Sequence, residues 1–275
     1  MTSLPPKIGL ALSGGAARGM AHVGVLRALI ENNIRIDCIA GTSAGSIVAG
    51  AYAAGMPIEE IAEFGRKLRW RDIGRVTMSR LGIQSNERLE QFLRTRLPIT
   101  KFEDLPMPFA AVATDLKTNA AVVMKDQGDV PFAIRASCTI PGWYVPVIDE
   151  KGRQLVDGGL VAVIPSVVTR SLGADIVIAV DVNTQGATFI GSSSSVIGVL
   201  LQSMMVVQKT ASAHQIEMSD FVISPTVGHI RWDEMGRADE LMAAGYETTV
   251  ANMAKIREVI DSAASNEAQR EEMLA

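Results

Sequence analysis

Ile39-Ala40-Gly41-Thr42-Ser43-Ala44-Gly45 is the stretch on which the reading of this chain turns. A short apolar strand, Asp37 to Ala40, runs into it, and a helix of small residues, Ala44 to Ala54, runs out of it. A serine on a sharp turn between strand and helix holds its hydroxyl clear of the backbone. Gly41 and Gly45 remove side chains that would strike the neighbouring turn. Alone, Gly-x-Ser-x-Gly reads equally well as a Gly/Ser turn without chemistry. The stretches around it carry the decision.

Upstream, Lys7 to Ser13 is a near-continuous apolar run, the pattern of a strand inside a parallel sheet. It breaks at Gly14-Gly15 and gives way to a helix from about Arg18 to Glu31. Strand, helix, strand and helix joined by short loops indicate an α/β fold with a doubly wound, mostly parallel sheet. Downstream, Pro57 to Leu68 and Asn86 to Leu97 read as charged helices of an outer layer, their charges a solvated face. Phe109 to Asp115 and Ala120 to Met124 have strand pattern, and Asp129 can cap a helix from Pro131 to Ala136. Val145 to Asp149 and Gln154 to Val156 form a hairpin pattern. A helix over Pro165 to Leu172, stopped by Gly173, precedes a buried strand over Asp175 to Val182.

Gly186 to Ser195 is the most flexible-looking segment, followed by a long helix from Val196 to about Met218. A short strand, Asp220 to Ser224, and a helix over Ala238 to Ala264 follow, with a charged tail from Ser265 expected to fray. No internal repeat and no long linker divide residues 1–275, which read as a single domain.

The 275 residues carry a net charge of −4 without a long basic run, which argues against nucleic acid as a partner. The N-terminus has no charged n-region or apolar core of a signal peptide. No uninterrupted run is long enough for a membrane span; the nearest, Val196 to Val207, is broken by Gln202 and Ser203. Cys38 and Cys138 lie in apolar surroundings outside any metal spacing. Two reduced, buried thiols of a cytoplasmic protein are favoured over a disulfide. No His/Cys/Asp cluster has metal spacing, so neither a metal nor another cofactor is expected.

Chemistry is carried by three further stretches. Ser13-Gly14-Gly15-Ala16-Ala17-Arg18-Gly19 runs from strand through glycines into a helix, presenting N–H groups to an anion, either a phosphate or an acyl-transfer oxyanion. A dinucleotide site is disfavoured, because Ala16 replaces the middle glycine and Asp37 opens the second strand instead of closing it. Asp157-Gly158-Gly159 brings a carboxylate that can accept a hydroxyl proton, or is an ordinary turn. Ala136 to Pro141 is a tight break that shapes a loop beside a site or simply ends a helix. The order Ser43, Asp157, then His214 or His229 also admits a Ser–His–Asp triad. Against it, Ser43 follows only two strands and His214 lies on a helix face. His22 reads as a packing residue, and Asp115 and Asp181 as turn caps at strand ends.

Taken in order, Gly14 to Gly19 (G-G-x-x-R-G), Gly41 to Gly45 (G-x-S-x-G), Ala136 to Pro141 (A-S-x-x-x-P) and Asp157 to Gly159 (D-G-G) resemble the patatin-like phospholipase family in its small bacterial form. The blocks span residues 7 to 160, and Gly19, Gly158, Gly159 and Pro141 belong to them. The resemblance implies a three-layer α/β/α sandwich and a Ser–Asp dyad that hydrolyses acyl esters of lipids through an acyl-enzyme, as a phospholipase A, lysophospholipase or esterase. It makes Ser43 the nucleophile and Asp157 the general base, with an oxyanion hole from the amides of Gly14, Gly15 and Ala16 and with Arg18 holding that loop. The family often has glycine where Ala16 stands, so the hole keeps its geometry if the Ala16 φ is negative.

Residues 183 to 275 carry no family block and are where substrate choice would vary. Met204, Met205 and Val206, with the Phe189-Ile190 loop, would line an acyl groove or touch the inner face of a membrane; an ordinary core helix is the other reading. A thioesterase on the same scaffold and a lipid-binding regulator with little turnover are the remaining alternatives.

Overall fold

The computed structural model describes residues 5–183 and 196–274. Ile8–Leu12 forms β1, a 3₁₀ turn spans Ala16–Met20, and α1 covers Ala21–Glu31. Strand β2 (Cys38–Thr42) leads into α2 (Ala44–Ala53), followed by α3 (Ile58–Lys67) and the short α4 (Trp70–Ile73). Next come β3 (Arg75–Val76), β4 (Gly82–Ser85), α5 (Glu87–Arg96), β5 (Phe109–Asp115), β6 (Ala120–Met124) and α6 (Val130–Ser137). Strands β7 (Gly142–Tyr144), β8 (Val147–Ile148) and β9 (Gln154–Asp157) precede α7 (Ser166–Ser171), β10 (Ile176–Val180) and α8 (Val196–Glu217). The chain closes with β11 (Phe221–Ile223), α9 (Ala238–Ala251) and α10 (Met253–Leu274).

Among the described residues, eight strands form one sheet in the order β11-β10-β1-β2-β5-β9-β8, with β6 added on β5. The five-strand run from β11 to β5 is parallel throughout. Its strands are apolar on both faces because both are covered, as a parallel sheet requires. Ile8, Leu10 and Leu12 of β1 enter one core with α1, α2 and α9, whereas Ala11 enters a second core with Val163 and Ile164 beneath α7. This gives the α/β/α sandwich expected from the sequence.

Strand β5 explains how distant stretches meet. Ala111 and Val112 pair with both β2 and β6, so these two lie on opposite edges of β5. Residues 113 to 115 pair with both β6 and β9, so β9 shares the edge used by β2. Thr42 lies opposite Val112 in parallel pairing, and Asp157 lies opposite Ala113 in antiparallel pairing. The two strands therefore run head-on along one edge and end beside each other. Ser43 and Asp157 occupy those two ends.

Several sequence expectations shift. The first helix starts later than Arg18, because the Ala17 N–H donates to Trp232 O and the chain passes through the 3₁₀ turn first. The stretch between the two charged helices holds β3 and β4, which with β7 make a separate three-stranded sheet. Strands of two to four residues are too short to leave a readable periodicity. The helix expected over Ala238 to Ala264 is two helices divided at Asn252, and the second continues past Ser265 to Leu274. Its run of Glu, Gln, Arg and Ala favours helix.

Asp129 caps α6 as expected, its side chain accepting the Phe132 N–H at 2.9 Å. The hairpin is present as β8 and β9. The Gly186–Ser195 segment, with Phe189 and Ile190, lies outside the described residues. Among the described residues no helix is long and apolar enough to cross a membrane.

Candidate active site

Ser43 stands between β2 and α2 with φ 51° and ψ −124°, a left-handed conformation unusual for a residue with a side chain. The surrounding structure leaves it little choice. A Cβ on Gly45 would fall 2.6 Å from Ser13 O, and one on Gly41 would fall 2.5 Å from the Gly45 backbone. Only glycines let the turn close against β1 in this way. The Ser43 N–H donates to Ser137 Oγ at 2.8 Å, and Ser46 Oγ donates to Ser43 O at 2.6 Å. The elbow is thus tied at its amide to the end of α6 and at its carbonyl to α2.

Asp157 is buried at the end of β9. Its Oδ1 accepts the Gly159 N–H at 2.8 Å, its N–H donates to Thr139 O at 2.8 Å, and its carbonyl accepts from Thr114 Oγ1 at 2.9 Å. Burial raises its pKa from an ordinary 3.8 to about 6, and hydrogen bonds from the Ser43 side chain and the Gly159 amide keep it from rising further. Among the described residues no cation pairs with it. Next to this pair, the Cys138 thiol is buried on the edge of the cavity, 3.8 Å from Ser46 Oγ, and burial pushes its pKa well up.

The Ser13-to-Gly19 loop lies on the same cavity. Gly14 N–H donates to Val163 O at 2.9 Å, and Asn183 Nδ2 donates to Gly14 O at 2.6 Å. Gly14 is therefore not a free donor, which narrows the expected set of three amides. The N–H groups of Gly15 and Ala16 meet no acceptor among the described residues. Ala16 has φ 50°, so the condition of a negative φ is not met. The backbone there takes a glycine-like shape despite its methyl group, at a cost of roughly 1 kcal/mol. Arg18 is buried and its Nε donates to Ile230 O at 2.7 Å, clamping the loop to the segment before α9. Burial lowers its pKa, and no carboxylate pairs with it among the described residues.

Ser43 borders two cavities. One is walled by apolar side chains including Met20, Ile61, Phe64, Leu68, Trp70 and Leu89. The other holds Asp157, Gly15, Ala16, Arg18, Asn183 and Gln208. Met204 and Met205 also line the second, while Val206 points outward, so α8 is neither a plain core helix nor wholly exposed. Pro141 ends the break after α6, and Gly19 and Gly158 pack so closely, on Ala44 and on the Val112 carbonyl, that a Cβ would collide.

The histidines stand apart. His229 bonds Glu240 at 2.8 Å, exposed His214 faces Glu217, and His22 is enclosed beside Ser13 O. None lines either cavity, which leaves the triad alternative without its base. Asp115 caps its own turn through Lys117 N–H and Thr118 Oγ1, as expected.

Sequence reasoning missed Ser137, although it lies within the Ala136–Pro141 block, because nothing local says that its hydroxyl reaches a strand end 94 positions away. It also missed Asn183 and the apolar cavity. The apolar positions of α3 were visible, but their charged neighbours made the helix read as an outer layer.

A model of the patatin-like phospholipase family matches residues 10–167. An uncharacterized NTE family protein of Mycobacterium tuberculosis is 39% identical over 184 residues, which is 66% of this chain and 50% of that protein. The lysophospholipase NTE1 of Mycosarcoma maydis is 37% identical over 185 residues, 64% of this chain and 10% of that protein. The chain thus spans half or less of the length of these relatives. Among solved structures, VipD from Legionella pneumophila superposes with a TM-score of 0.55 at 14% identity, covering 95% of this chain and 68% of that one. This last likeness is one of fold.

Proposed function

Because the chain belongs to the patatin-like phospholipase family, we propose that it hydrolyses acyl esters of lipids, as a lysophospholipase or related esterase, with Ser43 as nucleophile and Asp157 as base. One observation carries the reading: a buried carboxylate, with no cation paired to it among the described residues, at the end of the strand that meets the serine's own strand head-on on β5, the serine itself in a left-handed strand-to-helix turn. With a pKa of about 6 the carboxylate is ionised at neutral pH yet basic enough to take a proton.

Ser43 Oγ attacks the ester carbonyl as its proton passes to Asp157. The charge on the carbonyl oxygen is held by the Gly15 and Ala16 amides, each such donor commonly worth about 3 kcal/mol in the transition state. Collapse breaks the ester C–O bond, and the departing alcohol takes the proton from Asp157. Water then gives a proton to Asp157 and attacks the acyl-serine; the carboxylic acid leaves and Ser43 recovers its proton. The apolar cavity takes the acyl chain and the polar one the alcohol half, with Arg18 fixing the loop that carries the amides. The lysophospholipase among the relatives supports the substrate class.

Turnover of p-nitrophenyl esters, lysophospholipids and acyl thioesters, with labelling by a fluorophosphonate, tests this. Ser43→Ala and Asp157→Asn each lose about a thousandfold or more in kcat, and Ser43→Ala loses the label. Wild-type turnover in either variant rejects the dyad, and preference for thioesters moves the assignment to a thioesterase.

A further inference from the structure

The hairpin after α4 plays no part in the chemistry above, yet its surface is unusual. Val76 is 74% exposed, Leu81 is 58% exposed, Met78 is fully exposed and Ile83 is partly open to solvent. Large apolar side chains gathered in water on one hairpin mark a contact site. Arg75 and Arg80 interleave with them and make no ion pair among the described residues, and Arg71 is 85% exposed beside them. From Arg66 to Arg96 the chain has nine Arg and Lys against three Asp and Glu, although the whole chain carries −4. These charges are dispersed in sequence, so no basic run announces them.

The hairpin is built onto the wall of the apolar cavity. Trp70 and Ile73 just before it, and Leu89 just after it, line that cavity. Strand β4 pairs with β7, whose Tyr144 lines it too. A second exposed apolar patch, Val199, Leu200, Val206 and Val207 on α8, has no arginine beside it on that helix, which carries Lys209 and, further on, His214.

We propose that the Arg75–Ile83 hairpin docks the protein on an anionic lipid surface, Met78 and Leu81 entering the interface while Arg75 and Arg80 meet lipid phosphates. Its purpose rests on the lipid-ester reading, since docking there sets the apolar cavity beside the bilayer from which an acyl chain would come. The docking itself needs no turnover.

Flotation of the Ser43→Ala chain with vesicles of phosphatidylcholine, alone or mixed with phosphatidylglycerol, measures docking apart from hydrolysis. Binding is expected to the mixed vesicles and to weaken with salt. The double variants M78D/L81D and R75E/R80E should each lower partitioning about tenfold. Restored to Ser43, both variants should keep wild-type hydrolysis of a soluble short-chain ester, which shows that they fold. Equal partitioning of parent and hairpin variants overturns the proposal. So does equal binding to both vesicle types, loss of binding only in V206D/V207D, or a dimer that the hairpin variants dissolve without vesicle binding.

Discussion

Among the described residues no cation pairs with Asp157, so its ionised form is held against desolvation by the Gly159 amide and the neighbouring Ser43 side chain. Its pKa in the fold, about 6, exceeds the ordinary 3.8. The folded chain therefore holds that proton more tightly, and the stability present below 3.8 is lost as pH rises through 6. Asp157→Asn keeps an oxygen to accept the Gly159 N–H and removes the charge. It should stabilise the protein near pH 7 by on the order of 3 kcal/mol while removing activity. His22 works the other way: burial lowers its pKa from 6.5 to about 4, so its contribution is present above 6.5 and lost as pH falls through 4. Between about pH 4 and 6 the two offset each other in the wild type. In Asp157→Asn only His22 remains, and stability should climb with pH across that window. Urea midpoints over the range check both signs; a variant no more stable than wild type at neutral pH would contradict the cost assigned to the buried carboxylate. In the wild type, kcat/KM should fall as pH drops through about 6, when the base is protonated.

At the scale of elements, the site exists because β2 and β9 end head-on along one edge of β5, with the end of α6 set against the junction. Ser137→Ala should leave the Ser43 N–H buried without an acceptor, a loss of about 1–3 kcal/mol. If that hydrogen bond orients the elbow, kcat falls more than KM, and Ser137→Thr recovers part of the loss. A KM effect alone would mean that Ser137 shapes the cavity instead. The Gly-x-Ser-x-Gly turn was legible because its constraint is local: strand, glycine, serine, glycine and helix are adjacent in the chain. The place of Asp157 was not legible from spacing, since it depends on an antiparallel strand returning to an otherwise parallel sheet. Only its membership in an ordered set of blocks pointed to it. The apolar cavity stayed hidden because Ile61 and Phe64 belong to α3, and Leu68 follows it, where charges dominate the pattern, and what lies across from them is set by the tertiary fold.

Across the whole molecule, the family match stops at residue 167, yet the core of its first half is closed by later elements. Helix α9 lies on α1 so tightly that a Cβ on Gly24 would collide with the Met242 carbonyl, and one on Gly245 with the Ala21 carbonyl. The same late region holds the Ala17–Arg18 turn through Ile230 O and Trp232 O. Neither glycine is needed for a turn; both sit inside helices, where glycine is the poorer helix former by about 1 kcal/mol relative to alanine. Propensity therefore says that Gly24→Ala stabilises. The packing says the opposite, since a backbone carbonyl cannot move aside as a flexible side chain can, and overpacking of this kind costs about 1–3 kcal/mol or more. Gly24→Ala should lower the urea midpoint, Gly245→Ala should do likewise, and the double variant should cost less than the two combined, because the first substitution already separates the helices. A rise in the midpoint for Gly24→Ala would mean that α1 and α9 do not meet backbone to backbone in solution. In that event the clamp on the Gly15–Ala16 loop would have to come from Arg18 and Ala17 alone.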